Sequence, residues 1–267
     1  MNKKSIILIG VFIVLGITAC KSTQNNTNTS DSLLQKSESG IEIDSIILDT
    51  TVYPTDNNCI AKVLTTGTFH NDEVNPDDNQ TQWFGLFSSR DKYYLKQTLI
   101  NITNVYDPIL DQDNEATGWE VTTEHTDTCL ILIEQLPFLT DRNIENILLQ
   151  KNEIYPQDTI KFEYCGRKYY IYATGLNKEG NILNYKLYLI TTIDNKAYKT
   201  LLVSMPFFEG KMINIIFAGD IDGDNILDLL IDTSNHYNGE RLTVYLSKPA
   251  TNQQLITPIG MHLSVGC

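Results

Sequence analysis

Residues 220–228, Asp-Ile-Asp-Gly-Asp-Asn-Ile-Leu-Asp, restrict the fold of this chain more than any other stretch, because they set carboxylates at alternating positions between two apolar runs. Ile213 to Ala218 predicts a β-branched strand entering, and Leu227 to Ile231 a strand leaving, so the acidic run must turn the chain between neighbouring strands. Carboxylates held that close repel one another. They either splay into solvent as an acidic turn that binds nothing, or gather round a hard cation such as calcium, which takes roughly six to eight oxygens at about 2.3–2.6 Å. The regular spacing favours a calcium loop.

The spacing also tells which kind of calcium loop it is. An EF-hand requires Gly at its sixth position and a bidentate Glu at its twelfth, between two helices. Counted from Asp220, those positions hold Asn225 and Ile231, so the EF-hand reading fails. The run instead resembles the D-x-D-G-D-x-x-x-D-L loop of integrin α-chain (FG-GAP) and VCBS repeats, carried here by Asp220, Asp222, Gly223, Asp224, Asp228 and Leu229. The resemblance implies calcium held by Asp220, Asp222, Asp224 and Asp228 with one backbone carbonyl, that of Ile226. Members of those families often have Gly where this chain has Asn225, a residue that also reaches the left-handed conformation of a tight turn. One copy is present, spanning residues 213–232, so the resemblance carries the loop and not a whole propeller.

At the other end, Met1 to Lys4 is a short basic segment, and Ile6 to Ile17 is an apolar run too short to span a bilayer as a helix. Residues 1–19 are therefore expected to be a secretory signal. It ends in Ile17-Thr18-Ala19-Cys20, which resembles the lipobox of bacterial lipoproteins and implies a lipid on Cys20. Several acyl chains, at about 0.8 kcal/mol per buried methylene, give stable anchoring. Residues 20–40 contain little apolar surface beyond Leu33 and Leu34 and are expected to be a flexible tether. That address places the remainder in the bacterial cell envelope, membrane-anchored and facing away from the cytoplasm.

Residues 41–267 suffice for one large core or two smaller ones, 41–140 and 155–267. The net charge of −13 becomes −15 once Lys3 and Lys4 leave with the signal, a balance that repels nucleic acid and anionic headgroups. Strand signals dominate: Cys59 to Thr66, Trp83 to Phe87, Tyr93 to Thr103, and Cys129 to Ile133, whose continuous apolar run reads as a central buried strand. Ile160 to Cys165 and Lys168 to Ala173 flank a Gly166-Arg167 turn, and Leu183 to Ile193 and Ala197 to Met205 flank Asp194-Asn195-Lys196. Arg241 to Ser247 and Ile256 to Ser264 follow the acidic loop. One short helix is expected over 141–151, with Asp141 as N-cap and Ile144, Ile147 and Leu148 at helical spacing. The expected fold is mainly β, an antiparallel meander forming a β-sandwich or incomplete propeller.

With Cys20 carrying lipid, Cys59, Cys129, Cys165 and Cys267 remain. An even number in an exported chain suggests two disulfides in any of three pairings, against buried reduced thiols. His70, Asp72, Glu73, Asp77 and Asp78, and Asp107, Asp111, Asp113 and Glu115, are acidic clusters suited to a second cation or to solvated loops. His236 falls after the strand leaving the loop. Trp83, Tyr93, Tyr94, Trp119, Tyr169, Tyr170, Tyr172, Tyr185 and Tyr188 could form a binding platform, or cross-strand pairs and core. The spacings G-x-S-x-G, H-E-x-x-H and G-x-G-x-x-G are absent. The expectation is thus a calcium-stabilised, non-catalytic binding or scaffolding lipoprotein whose partner is an envelope protein or a glycan, not nucleic acid. The alternative is an exported hydrolase whose carboxylates act on carbohydrate or peptide.

Overall fold

The computed structural model describes residues 47–90, 92–251 and 254–266. The expected signal segment, Cys20, the expected tether and Cys267 lie outside the described residues. Among the described residues the chain forms sixteen strands. The first eight are β1 (Val63–Leu64), β2 (Gly67–Phe69), β3 (Trp83–Ser89), β4 (Lys92–Thr98), β5 (Ile100–Val105), β6 (Gly118–Thr123), β7 (Thr128–Glu134) and β8 (Arg142–Ile144). The second eight are β9 (Thr159–Tyr164), β10 (Arg167–Lys178), β11 (Asn181–Ile193), β12 (Lys196–Phe207), β13 (Asn214–Gly219), β14 (Asp228–Asp232), β15 (Gly239–Leu246) and β16 (Thr257–Val265).

Turn chemistry builds the second half. The turns after β9, β10 and β11 each put two residues at positive φ: Cys165-Gly166 (48° and 71°), Glu179-Gly180 (53° and 86°) and Asp194-Asn195 (50° and 62°). Two such residues in a row give the turn whose twist matches that of the flanking strands, so each connection is a two-residue hairpin. The first hairpin therefore turns at Cys165-Gly166, one residue earlier than expected, and Arg167 opens β10. The outcome is a four-stranded meander, β12-β11-β10-β9, followed by a second, β13-β14-β15-β16. Earlier strands form a five-stranded sheet, β1-β7-β3-β4-β8, and a three-stranded one, β2-β6-β5, and all named pairings are antiparallel.

The period of two along each strand sorts side chains into three separate cores. On β14, Leu229 and Ile231 join Tyr169, Ile171, Leu187 and Val203 of the β9–β12 meander, whereas Leu230 turns the other way, toward Phe84, Leu86, Ile131 and Ile133. On β3 and β7, Trp83 and Leu132 point away from that second core into a third, with Phe69, Ile100, Ile102 and Val121. The four sheets therefore stack face to face in a sandwich-like order: β9–β12, β13–β16, the five-stranded sheet and the three-stranded sheet. Both faces of β14 and β7 are covered, which is why Leu229–Ile231 and Cys129–Ile133 read as continuous apolar runs.

Further expectations need correction. Tyr93 to Thr103 is two strands, not one, parting at exposed Leu99. A single strand would set Gln97, Leu99 and Asn101 on the same face as Leu95, opposite the five-stranded sheet's apolar partners. The chain instead turns and delivers Ile100 and Ile102 to the third core.

The helix over 141–151 does not form. Arg142–Ile144 pairs with Tyr93–Leu95 as edge strand β8, and the Asp141 carboxylate accepts the N–H of Gln97 at 2.8 Å. Beyond it, Ile147 donates to the Ala218 carbonyl (2.8 Å), Ile215 donates to Asn152 (3.0 Å) and Ile154 to Ile213 (3.3 Å). The segment is a strap that pairs the otherwise open edge of β13, and those backbone bonds outweigh a modest helical preference. Ile144 is 8% exposed in the second core and Leu148 is 87% exposed. Accordingly, Ile144→Ala is expected to cost about 2–4 kcal/mol and Leu148→Ala under about 0.5 kcal/mol in denaturant unfolding. Equal losses would restore the amphipathic helix.

Cys59, Cys129 and Cys165 are free thiols, which corrects the expectation of bridges among these three. Cys59 and Cys129 are half-buried, and burial pushes the Cys129 thiol up to about 12, leaving it protonated and inert.

Candidate metal centre

The acidic run connects β13 to β14, where the sandwich's second sheet meets both of its neighbours. Its backbone closes on its own carboxylates. Asp220 Oδ1 accepts the N–H groups of Gly223 (2.5 Å) and Asp224 (3.1 Å), and Oδ2 accepts that of Asn225 (3.0 Å). Asp224 Oδ1 accepts from Ile226 at 2.8 Å. The turn needs a left-handed pair of positions, which Gly223 (φ 88°) and Asn225 (φ 63°) supply. The absence of a Cβ at 223 also makes room for Arg142: a Cβ there would fall 1.4 Å from its Nη1, and the guanidinium would have to move aside.

Asp220, Asp222 and Asp224 each turn one carboxylate oxygen toward a shared point, all within 4.8 Å of one another. Among the described residues they are the group whose oxygens converge in this way. Ser247 Oγ donates to Asp224 Oδ2 (2.8 Å) and lies 3.3 Å from Asp222 Oδ2, which also accepts the Lys248 N–H at 2.8 Å. Three hard, charged oxygens on a preformed loop fit a calcium-like cation in type and number for one side of a coordination sphere.

Asp228 stands apart from them. It is 0% exposed, its Oδ2 accepts the N–H groups of Ile221 (2.7 Å) and Asp222 (3.0 Å), and its Oδ1 accepts that of Ser247 (2.8 Å). Here it acts as the post that holds the two ends of the loop. Ile226 packs its half-buried side chain against the first core and gives its N–H to Asp224.

Electrostatics agree with a site short of positive charge. Burial pushes the Asp222 carboxyl up to about 6, with Asp224 and Asp220 adding to the rise. Burial raises that of Asp228 well above the usual carboxylate range, and Asp222 adds to it. Each shift says that the folded loop prefers a proton or another cation to bare charge. Three side chains supply some: Arg142 from β8 lies 4.0 Å from Asp220 Oδ2, Arg167 Nη1 donates to the Asn225 carbonyl at 2.6 Å, and Lys248 Nζ donates to the Asp222 carbonyl. Sequence alone places neither arginine, because the spacing over 141–151 predicts a helix and Gly166-Arg167 predicts a turn.

The other candidates are drawn elsewhere. His70 Nδ1 meets Asp107 Oδ2 at 2.5 Å, while Asp107 Oδ1 accepts two N–H groups and Asp111 accepts from Asp107 N–H, Thr117 N–H and Thr117 Oγ1. These carboxylates order their own loops. Asp78 pairs with Lys62, and Glu73 accepts from His70 and Val265. His236 follows β14 and so lies the length of a five-residue strand, roughly 16 Å, from the loop that precedes it; it pairs with Glu209 at 3.3 Å. Trp83, Tyr169 and Tyr185 are core. Tyr170, Tyr172 and Tyr188 share the outward face of the β9–β12 meander, where Tyr172 and Tyr188 stack at 5.1 Å and Lys199 lies 4.4 Å from the Tyr188 ring centre. Clefts of about 600 and 640 Å³ lie beside β2 and β8 respectively, and no residue of the acidic loop lines either. No family model, curated protein or solved structure matches this chain.

Proposed function

We propose that this chain is a calcium-stabilised, non-catalytic binding or scaffolding module of the bacterial cell envelope, tethered to a membrane through a lipid on Cys20. The observation that carries the reading is the convergence of the Asp220, Asp222 and Asp224 oxygens within 4.8 Å on a loop closed by its own backbone. Arg142 on β8, Arg167 on β10 and Lys248 after β15 all reach this loop, so a cation there would brace elements of three sheets at one junction. The role assigned to the metal is structural. The surface offered to a partner, an envelope protein or a glycan, is the outward Tyr170, Tyr172 and Tyr188 face with Lys161, Lys168 and Lys199.

Titration of the protein with calcium chloride tests the metal assignment: one ion bound per chain is expected, and no binding in the millimolar range or below overturns it. The address is tested separately. Cys20→Ser is expected to move the protein from the membrane fraction to the soluble extract, and continued sedimentation with membranes would show that the apolar run anchors the chain directly.

A further inference from the structure

The position of Arg142 is unusual for an ion-pair partner. Its guanidinium meets Gly223 with the Nη1 edge, so close that Nη1 takes the place a Cβ would occupy, and Nη2 stops 4.0 Å from Asp220 Oδ2, beyond hydrogen-bond reach. Its Nε is buried and without a hydrogen-bond partner among the described residues, although 29% of the side chain is exposed. Arg142 therefore lends charge to the loop without consuming the oxygens, since Asp220 already takes three backbone N–H groups. A guanidinium cannot ligate a metal, and it does not lose its proton.

We propose that Arg142 is a resident counter-charge for the Asp220–Asp224 loop, holding it in binding shape without metal and lowering its affinity for a divalent cation. The inference rests on the calcium reading above and adds what sets the affinity. When a doubly charged ion enters, the fixed positive charge of Arg142 opposes it, so the loop exchanges its ion with solution more readily than the three converging carboxylates would without it. A guanidinium that served merely to fasten β8 to the loop would have the opposite effect: its loss would loosen the oxygens and weaken binding.

The test is calcium titration and thermal melting of the protein and its Arg142→Gln, Arg142→Met and Arg142→Lys variants. Removing one unit charge beside a divalent ion at a partly exposed site is expected to tighten calcium binding about tenfold in Arg142→Gln. Arg142→Met, which keeps the packed stem, should follow it, and Arg142→Lys should stay near the parent. In chelator, the Gln and Met variants should melt lower than the parent. Unchanged or weaker binding in both neutral variants, with the parent binding calcium normally, overturns the role of Arg142 and leaves the calcium site standing. If neither the parent nor the neutral variants bind calcium, both the site and this role are wrong.

Discussion

At about a hundredfold excess over its dissociation constant, calcium is expected to raise the melting temperature by roughly 5–10 °C, and Asp222→Ala combined with Asp224→Ala is expected to remove that rise. A ligand bound only by the folded state stabilises it by about 2.7 kcal/mol at that excess. For a domain of this size each kcal/mol is worth roughly 2–4 °C. The measurement is a pair of melting curves, in calcium and in chelator, and coincident curves for the parent chain would end the structural-metal reading.

The same experiment carries a pH signature. In chelator, the Asp222 carboxyl titrates near 6 when folded and near 3.8 as a free side chain, so the folded state holds more protons in between. The contribution of Asp222 to stability is therefore present below about 3.8 and lost as pH rises through about 6. Calcium needs the ionised form, so the calcium-induced rise should be largest above pH 6 and shrink below it. His262 works in the other direction: burial lowers its pKa, and its contribution, present above 6.5, falls as pH drops. Comparing Asp222→Ala with the parent in chelator at each pH cancels the histidine and leaves the carboxylate.

Much of the architecture could be read from sequence because two local rules dominate it. Turn signals at Gly166-Arg167, one residue past where the first hairpin actually turns, and at Asp194-Asn195, together with the alternation of Tyr169, Ile171, Leu187 and Leu189, specify the β9–β12 meander with little tertiary help. The acidic loop was equally legible, because its oxygens and its two left-handed positions lie within nine consecutive residues. What failed was everything decided at a distance. Asp141, Ile144 and Ile147 satisfy a helical pattern, yet the open edges of β4 and β13 take the Asp141 carboxylate and the backbone groups of Ile144 and Ile147. Arg142 is 81 residues from Gly223, and no periodicity in the chain announces that contact. Ser247 and Lys248 complete the loop from the end of β15, again beyond any local rule. The loop was visible in the sequence; its surroundings were not.

Asp228 separates the loop's scaffold from its ligands. Asp228→Ala removes, from a site with no solvent, the acceptor of three backbone N–H groups, those of Ile221, Asp222 and Ser247. At about 1–3 kcal/mol for each buried donor left unpaired, the expected loss is roughly 3–9 kcal/mol, a large part of the stability of a typical domain. Asp228→Asn keeps one acceptor oxygen for Ile221 and Asp222, leaves the Ser247 N–H without its acceptor, and removes a buried charge that the fold already pushes toward neutrality, so its cost in chelator should be smaller, about 1–3 kcal/mol. Resemblance to integrin-type loops counts Asp228 among the ligands, whereas here its oxygens face backbone donors and lie outside the converging group. If it acts as the post, Asp228→Asn retains most of the calcium-induced rise while Asp222→Ala with Asp224→Ala loses it. Loss of the rise in Asp228→Asn, with its chelator melting curve lowered no further than that cost, would instead make Asp228 a ligand and require the Ser247 N–H to release it when the ion binds.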